Sequence, residues 1–308
     1  MRIASANAFD ASLAQLQRRQ KALSEAQEQL TSGKRVLRAS DDPAAAAAAE
    51  RALSAASRSD AQRRALDASR VATQLTESAL GEAGELLQQA REMLVSAGNI
   101  SQTDADRGRL GDLMRGLRAD LYALANRRDS DGRYLFGGQG SDGPPLLDGP
   151  GGVSFNGTPG QTHTAAGPAS PLSVDGRAVW LQADDPALPG QALSVFDVLD
   201  RLAQELSTPG RSNAEVMETV SRGLGELDAS STNLSTWRSR TGETLNRLDA
   251  LQARVSQDKL DAQQARSEAE DLDMVQAISE FQSRQSGYDA ALKTYSMVQR
   301  MSLFDYLR

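Results

Sequence analysis

The sequence predicts a mainly α fold: an elongated antiparallel helical rod made from both chain ends, coiled-coil-like, with a small β-rich inserted domain. Three observations carry this. Matching heptad stripes lie at opposite ends of the 308-residue chain. No proline occurs from Ala44 to Gly143 or from Gly210 to the end. Between Gly137 and Arg177 lie 11 of the 25 glycines and 6 of the 10 prolines, so turn chemistry is concentrated in one stretch.

The first segment, from residue 4 to about 32, places Phe9, Leu16, Leu23 and Leu30 at one heptad position. Leu13, Gln20 and Gln27 occupy the other. Its flanks are rich in Gln, Arg, Ser and Asp, so no second apolar face is offered for burial. An ordinary bundle core face gives the same spacing. Gly33 suits a C-cap. A short extended piece, 36–39, precedes Ser40-Asp41-Asp42-Pro43. There Asp42 fits an N-cap and Pro43 the first helical position, where a missing N–H costs nothing.

Six alanines follow, at maximal helix propensity. The helical pattern continues to about Ile100, through Ala68, Ala72, Leu75, Ala79, Ala83, Leu86, Ala90, Met93 and Ala97. Such a helix would span roughly 80 Å at ~1.5 Å per residue. Gly98-Asn99 breaks it, and a second helix runs from about 103 to 127 with Leu110, Met114, Leu117, Leu121 and Leu124 on one face. The short break predicts a helical hairpin.

Residues 136–192 read as the small β-rich insert. Val153-Ser154-Phe155 and Ala178-Val179-Trp180-Leu181 read as extended segments, and Phe155, Val174, Val179, Trp180 and Leu181 as its core. Leu193 to Leu206 is a short helix lined by Val195, Val198, Leu199, Leu202 and Leu206. From about 213 to 269 another long helix sets Val220, Leu227, Leu234, Thr241, Leu248 and Val255 at one heptad position, with Met217, Leu224 and Leu245 at the other. After a weak point near 268–271, the last stretch places Met274, Phe281, Tyr288 and Tyr295 at one position. Ile278 and Leu292 share the other with Gln285 and Gln299. Its natural partner is the first segment. The expected organisation is nested: 1–38 with 272–308 as terminal assembly segments, 39–135 with 193–271 as a long-helix rod domain, and 136–192 as an outward insert.

Composition removes several function classes. The net charge of −7 offers no basic face for nucleic acid. There is no cysteine and one histidine, His163, which removes thiol catalysis and multi-His or Cys metal sites. Gly138 to Gly143 matches GxGxxG, but Pro144-Pro145 follow where a dinucleotide site needs a helix. Asp129-Ser130-Asp131-Gly132 opens like a calcium loop, yet Arg133 takes the fifth position and no Glu stands at the twelfth. The expectation is no enzyme and no cofactor. No run reaches the ~18 apolar residues of a membrane helix. No apolar leader opens the chain, which predicts secretion without a cleaved signal peptide.

Three stretches then carry a resemblance. Leu30-Thr31-Ser32-Gly33-Lys34-Arg35-Val36 with Ser40-Asp41-Asp42-Pro43-Ala44 resembles the N-terminal signature of the bacterial flagellin family. Gly132-Arg133-Tyr134-Leu135-Phe136-Gly137-Gly138 and the ending Ser296 to Leu307 are similar to its hook–filament junction branch. The resemblance implies a structural part of the flagellum outside the cell, self-assembled as a ring between an adjoining hook-associated protein and filament flagellin. It further implies unfolded export through the flagellar type III channel, with an export chaperone at the C-terminal region. The assembly seam would be Phe9, Leu13, Leu16, Leu23, Leu30, Met274, Ile278, Phe281, Tyr288, Leu292 and Tyr295. Filament flagellin and an intracellular coiled-coil scaffold are the alternatives.

Overall fold

The structure, a computed structural model, describes residues 2–141 and 143–306; side-chain surroundings are described for 10–141 and 143–297. Seven helices and four short strands follow in the order α1 (Arg2–Ser32), α2 (Pro43–Ala97), α3 (Asp104–Ala125), β1 (Leu146–Gly149), β2 (Gly152–Phe155), α4 (Gly176–Trp180), β3 (Ala183–Asp184), β4 (Ala192–Leu193), α5 (Val195–Ser207), α6 (Asn213–Glu270) and α7 (Met274–Tyr306). The chain is mainly helical, and its first and last helices pair with each other. It forms two compact units: residues 1–59 with 257–308, and residues 60–256.

The second unit holds the larger core. Its part of α2 pairs antiparallel with its part of α6 in constant register. Arg70 meets Asp249 (3.5 Å), Glu77 meets Arg238 (2.7 Å) and Arg91 meets Asp228 (3.0 Å). The heptad row Val220, Leu227, Leu234, Thr241, Leu248 and Val255 is buried throughout, as its spacing predicts. On α2 the alanines 72, 79, 83, 90 and 97 are buried, but so are Leu66, Leu80, Leu87 and Leu94, which the alanine stripe does not announce. Two sequence expectations fail at the ends of these stripes. Ile100 lies beyond the end of α2 and is 75% exposed, and Met217, in the second turn of α6, is half exposed.

Helix α3 opens with a reciprocal cap: the Thr103 hydroxyl accepts the Asp106 N–H while the Asp106 carboxylate accepts the Thr103 N–H. It packs Met114, Leu117 and Leu121 against α5, whose Val195, Val198, Leu199, Leu202 and Leu206 are all buried. Gly111 allows this approach: a Cβ there would lie 2.7 Å from the Ala203 carbonyl oxygen.

The insert is two antiparallel hairpins, β1 with β2 and β3 with β4. Residues 178–181, expected as an extended segment, instead lie in or cap α4. The cause is Asp175, whose carboxylate accepts the N–H groups of Arg177 and Ala178 and starts a helical turn. Val174, Val179 and Trp180 do supply core, but to the same core as α2, α3, α5 and α6. Trp180 stacks edge-on against Phe136, with ring centroids 5.0 Å apart. Asn233 of α6 donates to the Val179 carbonyl at 2.8 Å. The hairpins are therefore fastened to the helices rather than packed on themselves.

Candidate assembly surface

The first unit brings the two chain ends together. Arg19 Nη1 donates to the Gly287 carbonyl (3.0 Å), and Arg284 Nη1 donates to the Ala22 carbonyl (3.2 Å). A Cβ at Gly287 would sit 2.8 Å from Arg19 Nη1, the tip of a flexible side chain that can shift aside. Residue 19 faces 287, 22 faces 284 and 34 faces 271, so α1 and α7 are antiparallel in a steady register.

That register is set at a joint where both helical paths break. Gly33 adopts φ +70, a conformation open to glycine, and its N–H closes on the Gln29 carbonyl. The Arg35 and Val36 N–H groups both donate to the Glu270 carbonyl (2.7 and 3.3 Å), and the Leu272 N–H donates back to Gly33 (3.0 Å). Arg35 Nη2 donates to the Ala269 carbonyl at 2.9 Å. Lys34 and Arg266 both pair with Glu270, and Arg38 pairs with Glu28. The Arg38–Glu28 pair is exposed and contributes little, whereas the Glu270 side chain is only 15% exposed and is shared by two cations; with the backbone bonds and buried Val36 it holds the place.

The Ser40-Asp41-Asp42-Pro43 signature has a divided task. Asp42 Oδ1 accepts the N–H groups of Ala44 and Ala45 (3.1 and 3.0 Å), capping α2, and its other oxygen meets Arg35. Asp41 turns the other way and accepts the N–H groups of Leu37 and Arg38. The Arg38 N–H holds the Asp41 carboxyl below the usual carboxylate range, and the Ala45 N–H, then Arg35, do the same for Asp42. Pairing of these two carboxylates for acid–base work is absent: each is committed to backbone donors.

The seam residues divide into two sets. Leu16 is buried, and Leu23, Leu30, Phe281, Tyr288 and Tyr295 are half-buried. Leu13, Met274, Ile278 and Leu292 are exposed, at 40 to 46%. The side chain of Phe9 lies outside the described residues. On α7 Phe281, Tyr288 and Tyr295 thus turn toward cover, while Met274 of the same position stays exposed with Ile278 and Leu292 of the other. Sequence reasoning missed Val275, which is 82% exposed beside them. Its signal was available: an apolar residue off the 3–4 row of a helix has no seam to enter.

The other sequence motifs hold no chemistry. In the glycine loop, Gly138 N–H donates to Val174, Gln139 N–H to Thr158 and Gly140 N–H to Gly137, so its amides are spent inside the fold and cannot cradle a phosphate. Asp129 accepts the N–H groups of Asp131 and Arg133, the work of a turn. Among the described residues no three His, Asp or Glu side chains gather as a metal site, and no helix is long and apolar enough to cross a membrane.

Comparison with known proteins points one way. The profile of the bacterial flagellin N-terminal helical region matches residues 3–141, and that of the C-terminal helical region matches residues 224–307. Flagellar hook-associated protein 3 of Salmonella typhimurium is 28% identical over 293 residues, covering 91% of this chain and 92% of the relative. Its Escherichia coli counterpart is 28% identical over 286 residues, covering 90% of each. Among solved structures, a flagellar hook-associated protein from Vibrio parahaemolyticus (described as putative) matches with a TM-score of 0.64 at 20% identity, covering 75% of this chain and all of that one. FlgL of Xanthomonas campestris matches with a TM-score of 0.61 at 16% identity, covering 71% of this chain and 99% of that one.

Proposed function

Because the chain belongs to the flagellin family, in the branch of flagellar hook-associated protein 3, we propose that it is a structural part of the hook–filament junction that assembles through its paired ends. The observation that carries this reading is the set of apolar side chains left exposed on α7. After α1 has paired with it, Val275 is 82% exposed, Ile278 46% and Leu292 42%. Fully covering such side chains contributes at most roughly 1.5–3 kcal/mol each, which offsets part of the entropy of ordering a terminal helix in an assembly.

In this reading residues 1–38 and 272–308 are the assembly segments, residues 39–135 and 193–271 support them, and residues 136–192 face outward. The seam from Phe9 to Leu30 and from Met274 to Tyr295 meets neighbouring copies, the adjoining hook-associated protein and filament flagellin. The polar residues within it, Gln20, Gln27, Gln285 and Gln299, keep the open row compatible with water during unfolded export through the flagellar type III channel, where a chaperone shields the C-terminal region.

Sheared flagella test the role directly. The protein should be present at hook-like rather than filament-like stoichiometry, and its loss should separate filaments from intact hooks. The flagellin profiles at both ends also fit a filament subunit. Purified chain that grows long filaments by itself would favour that second reading over the junction.

A further inference from the structure

We propose that Asn156 is a site of spontaneous deamidation built into the insert. Asparagine is a chemically labile residue, and Asn156-Gly157 is the one Asn-Gly pair in the sequence. A following glycine has no side chain to hinder ring closure by its own nitrogen.

The fold requires the glycine and leaves the asparagine exposed. A Cβ on Gly157 would lie 2.6 Å from the Phe155 ring and 2.8 Å from the Gly137 carbonyl oxygen, so packing demands glycine there. Asn156 is exposed, and neither its side-chain amide nor the Gly157 N–H has a hydrogen-bond partner among the described residues. Three other asparagines are restrained. Asn126 donates to the Tyr122 and Leu146 carbonyls and accepts the Leu146 N–H. Asn233 donates to Ala178 and Val179, and Asn99 accepts from Ser101.

The step balances without a co-reactant other than water. The Gly157 nitrogen bonds to Asn156 Cγ, the Cγ–Nδ2 bond breaks, and ammonia leaves with the amide proton. The product is a five-membered succinimide. Water at Cγ then restores a normal backbone with aspartate at 156. Water at the main-chain carbonyl instead leaves an isoaspartyl link, which carries one extra carbon in the backbone.

That extra carbon falls between two pinned points. On one side the Asn156 N–H donates to the Pro145 carbonyl at 2.7 Å. On the other, Thr158 and the glycine loop exchange bonds: Gln139 N–H to Thr158 (2.8 Å) and Thr158 N–H to Gly140 (3.2 Å). The isoaspartyl chain cannot keep both sets of bonds in place, so the clamp between β2 and the glycine loop loosens with age.

The test is incubation of the folded full chain in mildly alkaline buffer, followed by peptide mapping with fragmentation that separates aspartyl from isoaspartyl products. Conversion at Asn156 should exceed that at Asn99, Asn126 or Asn233 by about tenfold or more, a barrier difference near 1.4 kcal/mol. Amide exchange at Gln139 and Thr158 should rise as the isoaspartyl form accumulates, and Asn156→Gln should abolish both changes. Conversion no faster than at the restrained asparagines, or seen only after unfolding in urea, would overturn the proposal.

Discussion

The two compact units bury different chemistry. In residues 60–256 the fully buried set includes Trp180, Phe136, Phe196, Leu80, Leu87, Leu94, Met114 and Leu121. In residues 1–59 with 257–308, the buried apolar side chains among the described residues are Leu16, Val36 and five alanines: 26, 45, 49, 52 and 262. An alanine removes little apolar area from water, so the same helical secondary structure rests on unequal packing. The difference teaches that helix content and stability are separate properties here. One unit is finished by its own side chains. The other leaves Met274, Val275, Ile278 and Leu292 of α7 exposed.

The strongest way to break this comparison is to charge the half-covered α7 side of the seam. Phe281→Asp or Tyr288→Asp should abolish incorporation into flagella while Trp180 and Trp237, both in residues 60–256, keep their native fluorescence. Normal junctions in either variant would contradict the account. The next effect sharpens the contrast in packing. Leu94→Ala should cost about 2–5 kcal/mol in urea unfolding followed by tryptophan fluorescence, because it opens a cavity in a closed core. Leu16→Ala should leave that transition where it was. Equal shifts would mean that the two units unfold as one.

A smaller effect is expected at the joint. Asp42→Ala removes the α2 cap and should loosen the first turn locally, read as faster amide exchange at Ala44 and Ala45. The same carboxylates give a pH dependence. Asp41 and Asp42 are held below the ordinary value of 3.8, so their bonds stabilise the folded joint above that value. The contribution is lost as pH falls through the depressed folded values. The protection factor at the joint, corrected for the intrinsic pH dependence of amide exchange, should therefore fall in strong acid and stay flat near neutrality; a change across the range of a His titration would assign it to other groups. Smallest of all, Val275→Ser should change stability by less than about 0.5 kcal/mol, since an exposed side chain has little to lose. Its effect belongs to assembly, measured as competition with the natural chain for incorporation.

Much of the helical plan was readable because it is periodic. The α6 row from Val220 to Val255 and the α5 stripe were correct at each position named at the heptad's main site, since a side chain repeating every seven residues has one face to enter. On α2 the alanine run hid the buried leucines, because alanine fits any face and blurs the stripe. The extended reading of residues 178–181 failed for a local reason: alternation over four residues cannot outweigh a capping aspartate at 175. The insert's dependence on the helical core was also beyond the sequence, as nothing local says that Trp180 meets Phe136 and Phe196. Of the candidate surface, the heptad spacing was legible, but not which of its positions is covered. That division follows from the register fixed at Gly33 and Glu270, which joins positions more than two hundred residues apart.

The central claim is that the ends are held weakly until neighbours cover them. Amide exchange on a dilute monomer and on assembled flagellar particles measures this most directly. The account predicts little protection in 11–30 and 276–295 of the monomer, strong protection in 60–97 and 213–256, and protection of both ends only after assembly. Strong protection of both ends in the dilute monomer would contradict it.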